Sequence, residues 1–138
     1  MAFGWKRVVV VVLAGLLVFA VAPALGKKHR GNRPPSFGVK LHLSYSESTG
    51  NFKATADSPK RVCEDMRPLK LLNYPYGGGS PHQVGRAVTN ASGTAVFKPE
   101  PGYPFQAGIY AVSAGKETLE QGGATVICRL IVSTRNHF

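Results

Sequence analysis

The sequence predicts an all-β fold, an antiparallel β-sandwich of about seven strands, preceded by a cleaved N-terminal signal helix. Three observations support this prediction. Apolar residues beyond the N-terminus recur with a period of two, which is typical of half-buried strands. Glycine and proline interrupt the chain at the spacing of short strands, and no window longer than a turn or two shows helical periodicity. The N-terminus itself has the pattern of an export signal.

The export signal consists of a basic start, an apolar run and a small-residue cleavage site. Lys6 and Arg7 precede the apolar run, which closes on the small residues Ala22 and Ala24. We expect cleavage after Ala24 and therefore a secreted, extracellular protein. The alternative is a retained membrane anchor, because the apolar segment that continues to Gly26 approaches the roughly 20 residues needed to span a bilayer.

Removal of this signal peptide (1–24) leaves enough chain for one domain. Of the 17 Lys and Arg residues 15 remain, against 7 acidic residues, which gives a formal net charge of +8. Residues 25–37 form a basic leader, which contains Lys27, Lys28, His29, Arg30 and Arg33. We expect it to be disordered, and the alternative is an arm that binds a polyanion. A single β-domain is expected over residues 38–135, with no internal repeat.

The first strands follow the leader. Residues 39–46 alternate apolar and polar side chains, and residues 48–51 are turn formers. A partner strand over 52–57 would complete a hairpin. A third strand is predicted over 69–74, where Pro68 can only stand at the start because it lacks a backbone N–H.

The second half of the domain repeats this hairpin pattern. Strands over 83–89 and 94–98 flank a turn, and a sixth strand is predicted over 109–114. Residues 115–123 are polar and contain glycine, so we expect a loop there. The most β-prone run, 125–134, predicts one long strand covered on both faces.

The two cysteines, Cys63 and Cys128, are expected to form a structural disulfide. An even cysteine count in an exported chain favours pairing, and only one pairing exists. Closing a loop of this size would stabilise the domain by about 4 kcal/mol. The alternative, a reactive thiol or a metal pair, lacks support because no histidine lies at ligand spacing from either cysteine.

One series of motifs runs through most of residues 39–134. Its members are Cys63, Arg67, Leu69–Leu72, Val84-Gly85, Thr89–Gly93, Val96-Phe97, Gly108–Ala111, Cys128 and Ser133. This order resembles the small secreted immunoglobulin-like or transthyretin-like (Cna-B-like, carboxypeptidase-regulatory-like) β-sandwich modules of bacterial exported proteins. The resemblance implies a cysteine pair and a role as a spacer, stalk or adhesion element. It does not extend to the Lys–Asn isopeptide crosslink of some Cna-B-like relatives, because the last strand contains no lysine.

No residue pattern indicates a reaction. The four histidines are dispersed, two of them in ends that we expect to be disordered, and no Gly-x-Ser-x-Gly elbow occurs. Glu64 and Asp65 are adjacent and would point to opposite sides of an extended segment, so they do not form a glycosidase pair. We therefore expect no catalytic residues, no cofactor, no metal site and no enzymatic activity.

Five aromatic residues bracket two loops rich in proline and glycine: Tyr74, Tyr76, Tyr103, Phe105 and Tyr110. Tyr74, Tyr76, Tyr103 and Phe105 are the candidate ligand-facing residues, because tyrosines beside glycines are common on binding surfaces. The alternative is that these rings cap the ends of the core. Three arginines could add anion contacts or could simply be solvated, namely Arg61, Arg67 and Arg86.

These observations predict a non-catalytic structural or interaction module of the cell envelope or exterior. The alternative is a basic secreted protein that binds a polyanion or the cell wall, since the net charge is strongly positive. The expected partners are accordingly a cell-envelope polymer, a polyanion or another secreted protein. Specific nucleic-acid recognition is not indicated.

Overall fold

The computed structural model describes residues 31, 33–129 and 131–138. The predicted signal peptide and the leader up to residue 30 lie outside the described residues. Within them the chain is all-β, with eleven strands and a single 3-10 turn at Arg61–Cys63. No helix in this part of the chain is long and apolar enough to cross a membrane.

Eight of the strands have four or more residues and three have two. In chain order they are β1 (Ser36–Phe37), β2 (Lys40–Ser46), β3 (Asn51–Asp57), β4 (Pro68–Tyr74), β5 (His82–Val88), β6 (Thr94–Phe97), β7 (Ile109–Ala114), β8 (Glu117–Gln121), β9 (Ala124–Cys128), β10 (Ile131–Val132) and β11 (Asn136–His137).

The strands form three sheets. One sheet has the order β2-β3-β6, a second has the order β10-β7-β4-β5 with β11 also on β7, and the third has the order β1-β9-β8. Only the pairing of β1 with β9 is parallel among the described strands.

The structure confirms the first predicted hairpin, whereas the second is wrong, because β5 pairs with β4 and β6 pairs with β3 in the other sheet. Strands β2 and β3 pair from Lys40 opposite Asp57 to Ser46 opposite Asn51. The backbone N–H of Gly50 closes the turn on the carbonyl oxygen of Ser46 at 2.7 Å. Gly50 has a φ of 67°, a conformation that glycine adopts without steric cost. The alternation of apolar and polar residues therefore places one side chain in two in the core.

The core lies between the first two sheets. Phe52 and Phe97 come from β3 and β6, whereas Leu71 and Val112 come from β4 and β7, and all four are almost fully buried. They belong to one buried cluster that also includes Cys63 and Cys128. This packing joins the two sheets, since each sheet is apolar on the face turned toward the other.

The predicted loop over 115–123 is wrong. Glu117–Gln121 forms strand β8, which pairs with β9 around Gly122 and Gly123. Both glycines have positive φ values, 58° and 78°, as a two-residue hairpin turn requires. The strand was not predicted because its side chains are half-exposed or exposed and carry little apolar alternation. The Gly-Gly pair just before the β-prone segment was the available signal.

The single strand predicted over 125–134 is also wrong. Strand β9 ends at Cys128, and the chain then passes to the second sheet, where β10 pairs with β7. Val126 is buried as expected, but Val132 is 44% exposed. The transfer between sheets breaks the alternation, because the two strands pack on different neighbours.

Both ends of the domain extend beyond the limits expected from the sequence. Ser36 and Phe37, the last residues of the expected leader, pair with β9. His137, which was expected in a disordered end, lies in β11 opposite Ile109.

Candidate functional site

The four candidate ligand-facing residues, Tyr74, Tyr76, Tyr103 and Phe105, all line the same cleft, which has a volume of about 580 Å³. They come from the end of β4, the loop that follows it and the loop between β6 and β7. The other lining residues are Asn73, Pro75, Gln83, Val84, Glu100, Pro104, Gln106, Ala107, Gly108 and Tyr110. Its volume lies within the range of ligand-binding clefts, roughly 300–1,000 Å³.

Tyr103 stands on a tight turn at one side of the cleft. Its backbone N–H donates to the carbonyl oxygen of Glu100 at 2.9 Å. Pro101 and Gly102 form the centre of this turn, and Gly102 has a φ of 83°, which matches the third position of a type II turn. The Tyr103 side chain is 75% exposed. The turn therefore holds a tyrosine ring outward rather than against the core.

Tyr76 is held in a similar way on the loop after β4. The N–H of Gly78 donates to the carbonyl oxygen of Pro75 at 3.2 Å, so Tyr76 occupies the second position of a hydrogen-bonded turn. Its side chain is 73% exposed. Two large aromatic side chains on short turns thus meet solvent at the same cleft.

Tyr74 and Phe105 are less available to a ligand, because their rings already pack against other side chains. The Arg135 guanidinium lies over the Tyr74 ring, 4.1 Å from its centroid, in a cation–π contact. The Phe105 ring packs edge-on against Phe52 at 5.1 Å between centroids. Phe105 therefore lies against the aromatic core, whereas Tyr76 and Tyr103 do not cap it.

Tyr110, the fifth member of the aromatic group, also lines the cleft, together with amide groups that the sequence pattern had not indicated. The Tyr110 hydroxyl donates to the carbonyl oxygen of Gln106 at 2.6 Å. Burial raises the pKa of this phenol above its ordinary value, and hydrogen bonding by Asn73 opposes the shift. Gly108 packs closely against this group, because a Cβ atom there would lie 2.9 Å from the Asn73 amide nitrogen and would require the Asn73 side chain to shift.

The side chains that line the cleft are less positively charged than the chain as a whole. Among the described residues that line it, Glu100 is the only carboxylate and none is a lysine or an arginine, although the Arg135 guanidinium lies beside it on the Tyr74 ring. Asn73, Gln83 and Gln106 supply amide groups that can both donate and accept hydrogen bonds. The site thus combines aromatic rings, amides and one negative charge.

The disulfide between Cys63 and Cys128 is confirmed, and Arg67 lies beside it. The Arg67 side chain is 0% exposed, so it is neither of the two alternatives left open by the sequence, an anion contact or a solvated charge. Its guanidinium donates to the carbonyl oxygens of Cys63, Gly115 and Arg129. Burial lowers the pKa of this group, and the Glu117 carboxylate opposes the shift.

Thr89 completes this buried network. Its hydroxyl accepts the Arg67 backbone N–H at 2.7 Å and donates to the carbonyl oxygen of Glu64. The Met66 N–H also donates to the Thr89 carbonyl, at 3.1 Å. These bonds fix the segment between the 3-10 turn and β4, and they give Arg67 and Thr89 a structural role.

The other two arginines lie on the surface. Arg61 donates to the carbonyl oxygen of Ala91 at 3.2 Å. Arg86 lies directly opposite Lys70 in the β4–β5 pair, and both line a groove of about 510 Å³ together with Lys116. This groove therefore carries three basic side chains and one carboxylate, that of Glu117.

Comparisons with known proteins assign no family to this chain. The chain matches no protein-family model and shows no significant similarity to a curated protein. In the described part of the chain, no group of three or more His, Cys, Asp or Glu side chains is placed to hold a metal ion.

Proposed function

We propose that this protein is a secreted, non-catalytic interaction module with an immunoglobulin-like or transthyretin-like β-sandwich fold. It recognises a partner at the cell exterior through the aromatic cleft. The observation that carries the proposal is the pair Tyr76 and Tyr103, each more than 70% exposed at the same cleft.

The fold and location rest on two further observations. Two sheets pack their apolar faces around one core, as in a β-sandwich. The Cys63–Cys128 disulfide is consistent with an oxidising compartment outside the cytoplasm.

Physical chemistry supports recognition at the cleft. Large aromatic side chains normally gain free energy by burial, so two rings exposed at one concave site favour binding a partner. Tyrosine also loses little conformational entropy on binding, since it has only two side-chain torsions. The hydrogen-bonded turns that hold Tyr76 and Tyr103 reduce that cost further.

The test is binding of the purified chain from residue 25 onward to isolated cell-surface material of the source organism. The double variant Tyr76→Ala/Tyr103→Ala should lose this binding while unfolding at the same temperature, because both side chains are exposed. The matched control is Met66→Ala/Val96→Ala, which removes exposed apolar surface outside the cleft. Equal binding by the wild type and the tyrosine variant would exclude the cleft.

A second candidate function, binding of a polyanion or cell-wall polymer, is favoured by the groove of Lys70, Arg86 and Lys116. Like charges directly opposite each other in a sheet destabilise it, and the Lys70–Arg86 pair is such a case. A bound anionic polymer would relieve this repulsion.

Salt dependence separates the two candidates. Heparin binding that is lost by a few hundred millimolar salt, and that weakens in Lys70→Gln/Arg86→Gln, would support the groove. If heparin binding is lost instead when residues 27–33 are deleted, the leader is the binding site. Binding to cell-surface material that resists both the salt and these changes would argue against a polyanion partner.

A further inference from the structure

We infer that the ligand of the aromatic cleft is a neutral carbohydrate chain. The inference rests on the proposed function, because it names the ligand class of the same site. It follows from three properties of the cleft: its charge, its exposed aromatic faces and its amide groups.

The charge of the cleft disfavours the anionic ligands that the net charge of the whole chain would attract. The chain beyond residue 24 carries a formal charge of +8, and an anionic polymer is attracted to such a protein. The cleft nevertheless contains one carboxylate, Glu100, and no lysine or arginine. A polyanion in the cleft would meet the Glu100 carboxylate, and the Arg135 guanidinium beside the cleft is already stacked on the Tyr74 ring. The site suits an uncharged ligand.

The exposed tyrosines match the apolar faces of sugar rings. A pyranose presents several C–H groups on one face, and these carry a small positive charge. The face of an aromatic ring is negative, so the two surfaces attract each other when they stack. Tyr76 and Tyr103 are both exposed at the cleft on hydrogen-bonded turns. They offer stacking faces that require little rearrangement.

The polar groups match sugar hydroxyls. A hydroxyl both donates and accepts a hydrogen bond, and amide side chains have both capacities. The amides of Asn73, Gln83 and Gln106 line the cleft with the Glu100 carboxylate, which can accept bonds from hydroxyl donors. The Gln106 amide N–H already donates to the carbonyl oxygen of Pro104 at 3.1 Å, but its oxygen remains an acceptor, so the cleft offers both donors and acceptors to hydroxyls.

A peptide ligand fits these features less well. A proline-rich peptide offers chiefly carbonyl acceptors and would leave Glu100 without a donor, unless the peptide carried a basic residue. An extended peptide could instead add to β5, which is an edge strand. The β4–β5 register shifts between Leu71 and Leu72, which leaves Val84 as an extra residue in β5 at the cleft. Such a bulge disfavours strand addition.

The chain contains its own optical reporter for this test. Its one tryptophan, Trp5, lies before the expected cleavage site, so the chain from residue 25 onward has only tyrosine as a strong fluorophore. Of its five tyrosines, all except Tyr45 line the cleft. A ligand in the cleft should therefore change the tyrosine fluorescence directly.

The experiment titrates this chain with neutral hexasaccharides of glucose, mannose, xylose and N-acetylglucosamine. At least one should change the tyrosine fluorescence in a saturable manner, with affinity unchanged between about 0.05 and about 0.5 M salt. Tyr76→Ala and Tyr103→Ala should each weaken binding by about tenfold or more. Met66→Ala/Val96→Ala should bind as the wild type does.

Two outcomes would overturn the inference. In the first, no hexasaccharide binds although cell-surface binding still requires Tyr76 and Tyr103, so the proposed function stands and the carbohydrate does not. In the second, a basic proline-rich peptide binds the cleft saturably whereas the sugars do not, and the variant Glu100→Gln loses this peptide binding. If cell-surface binding is also independent of both tyrosines, the proposed function fails as well.

Discussion

The guanidinium of Arg67 donates a hydrogen bond of 2.8 Å to the carbonyl oxygen of Arg129, the residue that follows Cys128. It also donates to the carbonyl oxygen of Cys63, at 3.5 Å. One buried side chain therefore binds the backbone at both ends of the disulfide. This arrangement satisfies carbonyl groups where β9 ends and the chain changes sheets.

The first prediction concerns Arg67. Replacement by alanine leaves the carbonyl oxygens of Cys63, Gly115 and Arg129 without this donor, so Arg67→Ala should lower the free energy of unfolding by roughly 3 kcal/mol. Urea unfolding followed by circular dichroism measures the change. Arg86→Ala is the control and should alter stability by less than about 0.5 kcal/mol, because Arg86 is exposed. Similar values for the two variants would show that the buried network contributes little.

The second prediction concerns the disulfide. Native protein should show no free thiol, and Cys63→Ser/Cys128→Ser should lose about 4 kcal/mol of stability in the chain-entropy model. A thiol titration with and without denaturant, together with urea unfolding, tests both statements. Two reactive thiols in the native, unreduced protein would contradict the pairing.

The third prediction concerns Tyr110. Burial raises its pKa above the ordinary value of 10.0, so the folded state keeps a proton that the unfolded chain releases. This contribution to stability is therefore present below the unfolded-state pKa, near 10.0, and is lost as the pH rises through the folded-state pKa. An absorbance titration of tyrosinate should show a phenol that ionises above 10.0 and that is absent in Tyr110→Phe.

Tyr110→Phe should also cost about 1 kcal/mol near neutral pH, because the Gln106 carbonyl loses its hydroxyl donor. An unchanged high-pH component in this variant would assign the shifted phenol to another tyrosine.

The fourth prediction concerns Gly93, which ends the turn between β5 and β6. Gly93 has a φ of 71°, and a Cβ atom there would lie 2.5 Å from the carbonyl oxygen of Ala56. Gly93→Ala should therefore destabilise the domain by more than about 1 kcal/mol. Gly77→Ala is the control, because a Cβ atom at Gly77 meets nothing within 4 Å and its φ is not positive. Thermal unfolding of both variants measures the difference.

The sequence predicted part of the candidate site. Tyrosines beside proline and glycine identified Tyr76 and Tyr103, because turn chemistry is local and can be read along the chain. It did not distinguish them from Phe105, which packs on Phe52. It also missed Asn73 and Gln83, since single amides carry no pattern until β4 and β5 bring them to one cleft.

Arg67 shows the same limit in the core. In the sequence it is one of 17 basic residues, and a surface position is the ordinary expectation for arginine. Its burial depends on the carbonyl groups of Gly115 and Arg129, which are 48 and 62 positions away. Long-range backbone acceptors leave no signal near the residue that binds them.

The sequence by itself determined the all-β class, the hairpin β2–β3 and the one cysteine pairing that two cysteines allow. These features depend on period-two alternation, on turn residues and on cysteine count, all of which are local or compositional. Tertiary structure decided that Glu117–Gln121 is a strand, that the chain changes sheets after Cys128 and that the aromatic loops form one cleft. Those features depend on which distant segments pair and pack, and such contacts form only in the folded chain.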